Sequence, residues 1–209
     1  MRELTKLDQA LSEPKSVPEL EALFAATLPA DVKTKAATEA NWACYCSTTV
    51  MFVIYYLADK AAADKIDEIN SFRVGGTDTG KPMPGCLLLN DSTAASCLQH
   101  ILSLSGNYFV LLSSLSNLSH ACCFASYGLV SPTRTWGFYQ SNSGAPQFSA
   151  SPSVNKAKGM RDGNRLAMDK KALSDFFPTI TTGGLPVLGS DVKSWALKVV
   201  SFEGKEIYP

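Results

Sequence analysis

Asn41-Trp42-Ala43-Cys44-Tyr45-Cys46-Ser47-Thr48-Thr49 runs without a break into Val50-Met51-Phe52-Val53-Ile54-Tyr55-Tyr56-Leu57, the most apolar part of the chain. Val50, Val53, Ile54 and Leu57 recur at helical spacing, and Met51, Tyr55 and Ala58 fill most of the remaining circumference. The pattern predicts a helix buried on nearly all sides. Its first turn carries two thiols. A cysteine there sits where unpaired backbone N–H groups and the helix dipole stabilise a thiolate. The alternative is that both are small core hydrophobes, the commoner fate of free cysteine. Cys46 fits that alternative, because it continues the 46/50/53/57 row. Cys44 lies off the row and is the better candidate for a reactive thiol.

Outward from this stretch, a chain of 209 residues and 22.4 kDa suits one domain with a substantial core. The formal net charge is zero and no block of like charge occurs. That argues against a nucleic-acid footprint and against an electrostatic membrane anchor. The residues Met1-Arg2-Glu3-Leu4-Thr5-Lys6-Leu7-Asp8 mix charges and lack the apolar core of a signal peptide. No apolar run approaches the roughly 20 residues of a spanning helix. The expectation is a soluble protein that, if exported, leaves without a cleavable signal. Six cysteines stand at 44, 46, 86, 97, 122 and 123. They are sparse for the chain's length, and several lie in apolar segments, so reduced thiols are expected rather than a disulfide framework.

Along the chain, residues 3–12 read as a short amphipathic helix ended near Pro14. Ser16-Val17-Pro18-Glu19 reads as the start of another, with Leu20, Leu23, Phe24 and Leu28 buried and Pro29 as the stop. Residues 31–40 add a further turn or two, and 61–72 continue as helix after the central one. The breaker-rich stretch 73–85 matches neither common phosphate-loop spacing and reads as plain loop. Asp91 or Ser92 caps a helix through Leu104. The character then turns extended: strands are expected over 108–112, 120–127, 133–140 and 194–202. Residues 141–164 read as a long loop, and 169–177 as a helix stopped by Pro178. Helices first and a mostly antiparallel sheet after them make an α+β layout. A single domain over 1–209 is expected: a helical part at 1–40, the cysteine helix and its successor at 41–72, and a sheet region at 105–209.

The chain has two histidines. His100 lies mid-helix between Gln99 and Ile101 without chemical company. His120 follows a Ser-rich connection and opens an apolar strand, which places its ring at a sheet end. One strand later, Trp136-Gly137-Phe138-Tyr139 leads into Gln140-Ser141-Asn142. If strands 120–127 and 134–140 pair as a hairpin, His120 and Gln140 lie side by side. A thiol nucleophile needs a base within hydrogen-bond reach, and the base needs an acceptor that fixes its tautomer. An amide carbonyl can be that acceptor, with Asn142 as the alternative to Gln140. The oxyanion hole would combine the Cys44 backbone N–H with Asn41.

Ala43-Cys44-Tyr45-Cys46-Ser47 at a helix start resembles the nucleophile motif of papain-like enzymes, and His120-Ala121 resembles the His-Ala of that fold. Phe138-Tyr139-Gln140-Ser141-Asn142 is similar to the segment carrying the third residue in YopT-type and GtgE-type effector proteases. In both groups that residue is Asp, and here the position is Gln140. The Cys, His, Gln order resembles the cycle-inhibiting-factor deamidases. The resemblance covers three short segments. It implies a papain-like cysteine hydrolase without cofactor, a bacterial effector or toxin acting on a protein of a host or target cell. Protease and glutamine deamidase are both open, as is the choice between Cys44 and Cys46.

Two other readings compete. Cys44, Cys46, His120, Cys122 and Cys123 offer up to five soft ligands for zinc or copper(I), although structural zinc prefers a Cys-x2–4-Cys knuckle and adjacent strand residues point apart. A non-catalytic binding module with the same fold is the other, since Gln140 stands where Asp is the rule and fold alone establishes no activity.

Overall fold

The computed structural model describes residues 4–12, 16–30, 42–70, 85–115, 120–127, 134–141, 148–149, 163–187, 190–192 and 194–208. Helix α1 spans Leu4–Ser12 and buries Leu7 and Leu11. Helix α2, Val17–Ala25, begins as its residues dictate: the Glu19 carboxylate reaches back to the Ser16 N–H at 2.7 Å, and Pro18 falls in the first turn. The expected turns at 31–40 and the loop positions 73–84 fall outside the described residues.

The apolar stretch becomes helix α3, Cys46–Leu57, with every residue from Thr48 to Ile54 buried. A 3-10 turn, Trp42–Cys44, precedes it. The α-helix therefore starts two residues later than the spacing predicts, and only Cys46 belongs to its first turn. The cause is Trp42. Its ring packs edge-on against Phe24 at 6.4 Å, which pins the turn to α2, and the chain bends through an extended Tyr45 before winding up. Phe24 also stacks on Phe52 at 4.1 Å. Helix α4, Lys60–Asn70, follows after a break at Ala58.

Among the described residues ten strands follow in chain order: β1 Leu87–Leu89, β2 Tyr108–Ser114, β3 Ala121–Tyr127, β4 Thr135–Gln140, β5 Phe148–Ser149, β6 Gly163–Met168, β7 Leu185–Val187, β8 Ser190–Val192, β9 Trp195–Ser201 and β10 Glu206–Tyr208. The main sheet has the order β1-β9-β2-β3-β4-β6-β5, with β10 also on β9. All its pairings are antiparallel except β5 with β6. β7 and β8 form a separate hairpin. Helix α5, Asp91–Ser103, joins β1 to β2, and α6, Lys170–Thr181, follows β6. The fold is α+β, with helices on both faces of the sheet.

Alternation along the strands decides the two faces. Phe109, Leu111, Ala121, Cys123, Ala125, Tyr139, Ala196 and Val200 join the core of α1–α4. Tyr108, Val110, Leu112, Cys122, Phe124, Trp136, Phe138, Trp195, Leu197 and Val199 join the core of α5 and α6. Uninterrupted apolar strands of this kind are the mark of a sheet covered on both sides. Tyr139 folds back over Gly137, where a Cβ would meet its hydroxyl oxygen at 2.4 Å, and its hydroxyl donates to Asp8 at 2.9 Å. That bond ties α1 to the middle of the sheet.

Four expectations need correction. The cap of α5 is Asn90, whose side chain accepts from the N–H groups of Ser92 and Thr93, rather than Asp91 or Ser92. Pro178 does not stop α6. It costs one backbone bond in the last turn, and the helix runs on because Ile180 and Thr181 are buried and the Ile180 carbonyl accepts from Trp195 Nε1. β6 occupies the end of the expected 141–164 loop, held by the open edge of β4. The sheet is also not confined to 105–209, because β1 pairs with β9.

Truncating the stacked ring should test how far this core depends on it. Phe52→Ala is expected to lower unfolding stability by about 3–5 kcal/mol, read from urea denaturation with an unchanged m-value.

Candidate active site

β3 and β4 pair in the register Cys122 with Gln140 and Tyr127 with Thr135. One residue before β3, the His120 carbonyl accepts from the Ser114 N–H at 2.8 Å, and the His120 N–H donates to Ser114 Oγ at 2.9 Å. The residue is therefore held at the end of β2 as an extra rung. Across the hairpin, His120 Nε2 and Gln140 Oε1 are 2.9 Å apart. With the amide oxygen as acceptor, Nε2 carries the proton and Nδ1 presents its lone pair. Nδ1 is buried and has no hydrogen-bond partner.

The ring is more enclosed than a sheet-end position implies. His120 is 2 % exposed and Gln140 is fully buried. The alternation of β3 points both toward the face of Cys122 and Trp195, and the Trp195 indole stands edge-on to the imidazole at 6.2 Å. Burial pushes the imidazole down from its ordinary 6.5 to about 4, and the Gln140 hydrogen bond works against that shift. At neutral pH the ring is an uncharged base.

Helix α3 meets this end of the sheet with its N-terminus. It packs on β3 over Ala121, Cys123 and Ala125, whose small side chains allow a close approach. The β3–β4 register ends at Cys122, leaving the Ala121 N–H beyond the last rung. The Cys46 sulfur takes its place there as acceptor. Burial raises the Cys46 thiol, while the N–H groups of Ala121, Ser47 and Cys46 itself act in the opposite direction. Cys46 thus lies against the peptide that joins His120 to Ala121. No hydrogen bond joins its sulfur to the His120 ring among the described contacts.

The other sequence candidates divide. Cys44 has its backbone in the 3-10 turn, and its side chain is outside the described set. Asn41 and Asn142 lie outside the described residues. Cys122 and Cys123 are sealed on opposite faces of β3, and burial raises both thiols. Among the described residues no three His, Cys, Asp or Glu side chains converge as metal ligands. Likewise, no described helix is long and apolar enough to cross a membrane.

Four residues escaped the sequence reading. The Thr48 and Thr49 hydroxyls, in the first turn of α3, are buried without hydrogen-bond partners. Buried unsatisfied groups are rare in folded proteins. The Thr-Thr pair following Cys46-Ser47 was the available signal, submerged in an apolar run. Ser114 and Trp195 position and cover the histidine, but sequence has no means of pairing 114 with 120 or 195.

No protein-family profile, no curated protein and no solved structure matches the chain.

The enclosed neutral imidazole makes stability depend on pH. The unfolded chain binds a proton near pH 6.5 and the folded chain only near pH 4, so the stabilisation is complete above the first value and lost on the way down to the second. Between about pH 7.5 and 4.5 this amounts to roughly 2–3 kcal/mol. Denaturant unfolding at those two values should show His120→Gln losing less stability than the native protein by about that difference.

Proposed function

We propose that the chain is a papain-like cysteine hydrolase acting on a protein substrate. The observation that carries this reading is the His120–Gln140 hydrogen bond, with the unpartnered Nδ1 left over at the sheet end that the cysteine-bearing helix approaches. A base whose tautomer is fixed on one side and idle on the other is what thiol catalysis requires. The Cys46 sulfur rests against the peptide between His120 and Ala121, which supports Cys46 as nucleophile, with Cys44 the alternative.

In this proposal His120 Nδ1 takes the proton of the thiol as the sulfur attacks a peptide or carboxamide carbonyl. The raised thiol and the lowered imidazole make the resting pair neutral, so the proton moves during attack rather than before it. Backbone N–H groups at the start of α3 would hold the oxyanion, with Asn41 a further donor. His120 then returns the proton to the leaving amine, and water releases the thioester. Gln140 positions His120. The resemblance to effector proteases and to the Cys-His-Gln deamidases supports a substrate in a host or target cell. Proteolysis and glutamine deamidation differ only in the leaving amine.

An electrophilic peptide probe followed by mass mapping tests the site. Labelling is expected at Cys46, with a rate about 10²–10⁴-fold lower in His120→Ala and a smaller loss in Gln140→Ala. Labelling confined to Cys44 would move the nucleophile by two residues and keep the class. Reactivity equal to that of a free thiol and indifferent to His120→Ala would leave a non-catalytic binding module. Intact-mass analysis of substrate separates the two chemistries: deamidation adds about one dalton, and proteolysis splits the chain.

A further inference from the structure

Arg134 stands at the other end of the β3–β4 hairpin, immediately before β4, and is 4 % exposed. Its Nη1 donates to the Leu104 carbonyl, just past the end of α5. Its guanidinium lies over the Tyr108 ring, 5.4 Å from the centroid. Tyr108 is itself fixed, donating to the Ile101 carbonyl at 2.5 Å and accepting from Trp136 Nε1 at 3.1 Å. The negative end of the α5 dipole and an aromatic face thus offset part of the buried charge.

The remaining donors have no such provision. Nε and Nη2 are buried and without hydrogen-bond partners. These two atoms form one edge of the guanidinium, the edge whose parallel N–H groups match the two oxygens of a carboxylate. No carboxylate side chain pairs with it among the described residues. Ser126 Oγ, beside Tyr108, is neutral, accepting from the Tyr108 N–H at 3.1 Å and donating to the Gly106 carbonyl at 3.4 Å. A buried cation with two idle, parallel donors is costly unless an anion completes it.

We propose that the Nε/Nη2 edge of Arg134 is a binding site for a planar oxyanion, a carboxylate in the first place. The site is separate from His120. Five residue steps along the hairpin separate the Gln140 and Thr135 pairs, roughly 17 Å at the usual rise per residue. Its occupant therefore does not enter the thiol chemistry, and the proposal stands whether or not the chain is a hydrolase.

Thermal unfolding of the full chain at constant pH and ionic strength tests it, with sodium acetate, sodium phosphate and sodium chloride as separate titrants. Acetate is expected to raise the native midpoint saturably, by roughly 3–6 °C at tenfold excess over its dissociation constant. Chloride should do nothing beyond its ionic strength. Arg134→Lys keeps the charge but not the fork and should lose the acetate response, as should Arg134→Met. If Arg134→Met does not fold, the lysine variant carries the comparison. In the native protein the Arg134 Nε–H resonance should move with the same midpoint as the thermal shift. An acetate response undiminished in Arg134→Lys, an equal response to chloride, or an unmoved Nε–H resonance would overturn the site. A response to phosphate without one to acetate would overturn its assignment to a carboxylate.

Discussion

The central strands of this protein must be covered on both faces, and most of the rest follows from that. β2, β3 and β9 carry apolar side chains at nearly every position, so each successive residue needs a different helical layer. The two layers demand different sizes. β3 shows Ala121, Cys123 and Ala125 to α3, while Phe124, with Trp136 and Phe138 from β4, fills the space under α5 and α6. Small residues on one side let a nearly wholly apolar helix lie close, and bulky ones on the other fill the wider gap. The same alternation continues past the end of the ladder and assigns His120 and Gln140 to the bulky side. There they fill a position that the pattern reserves for apolar groups, and hydrogen bonding, their mutual bond included, makes that tolerable.

This origin explains the state of the histidine. Its low affinity for protons arises from enclosure, with no cationic neighbour needed, and the amide opposite is neutral. A carboxylate in the same place would hold an imidazolium; an amide holds an imidazole. The thiol at the start of α3 obeys the same rule from the other face, raised by enclosure and partly relieved by backbone N–H groups. In the proposed mechanism these two groups are neutral partners that stay unionised until a substrate arrives between them. That is also why the identity of Gln140 matters more than its geometry.

Much of the helical half was legible because its signals are local. Ser16 and Glu19 lie three residues apart, and the 50/53/54/57 spacing lies within one element. Strands β2, β3, β4 and β9 were legible for the same reason, whereas β6, with its Gly-Asn-Arg start, was not. The three-residue strands β1, β7, β8 and β10 carry too little pattern to read, since they exist only through the ladders they join. Pro178 misled because a proline in a last turn removes one bond, whereas two buried residues beyond it outweigh that loss. At the site, the juxtaposition of His120 and Gln140 could be reasoned from a hairpin register. Its enclosure could not, because that depends on Trp195, more than seventy residues away. The second covering layer was written in the unbroken apolar runs, but a run alone does not say which helices will cover it.

The β3–β4 hairpin ends in a buried polar group at each extremity, of opposite character. His120 Nδ1 is an idle acceptor, and Arg134 Nε and Nη2 are idle donors. Between them the rungs are mostly apolar and packed on both faces, so neither group can reach the other by a small rearrangement. A core packed at crystal-like density does not deform continuously. The two ends are therefore energetically separate, as residues well beyond about 10 Å without shared partners usually are. The hairpin works as a spacer. It holds the His120 imidazole at one edge of the domain and the Arg134 guanidinium at the other, with packed strands between them.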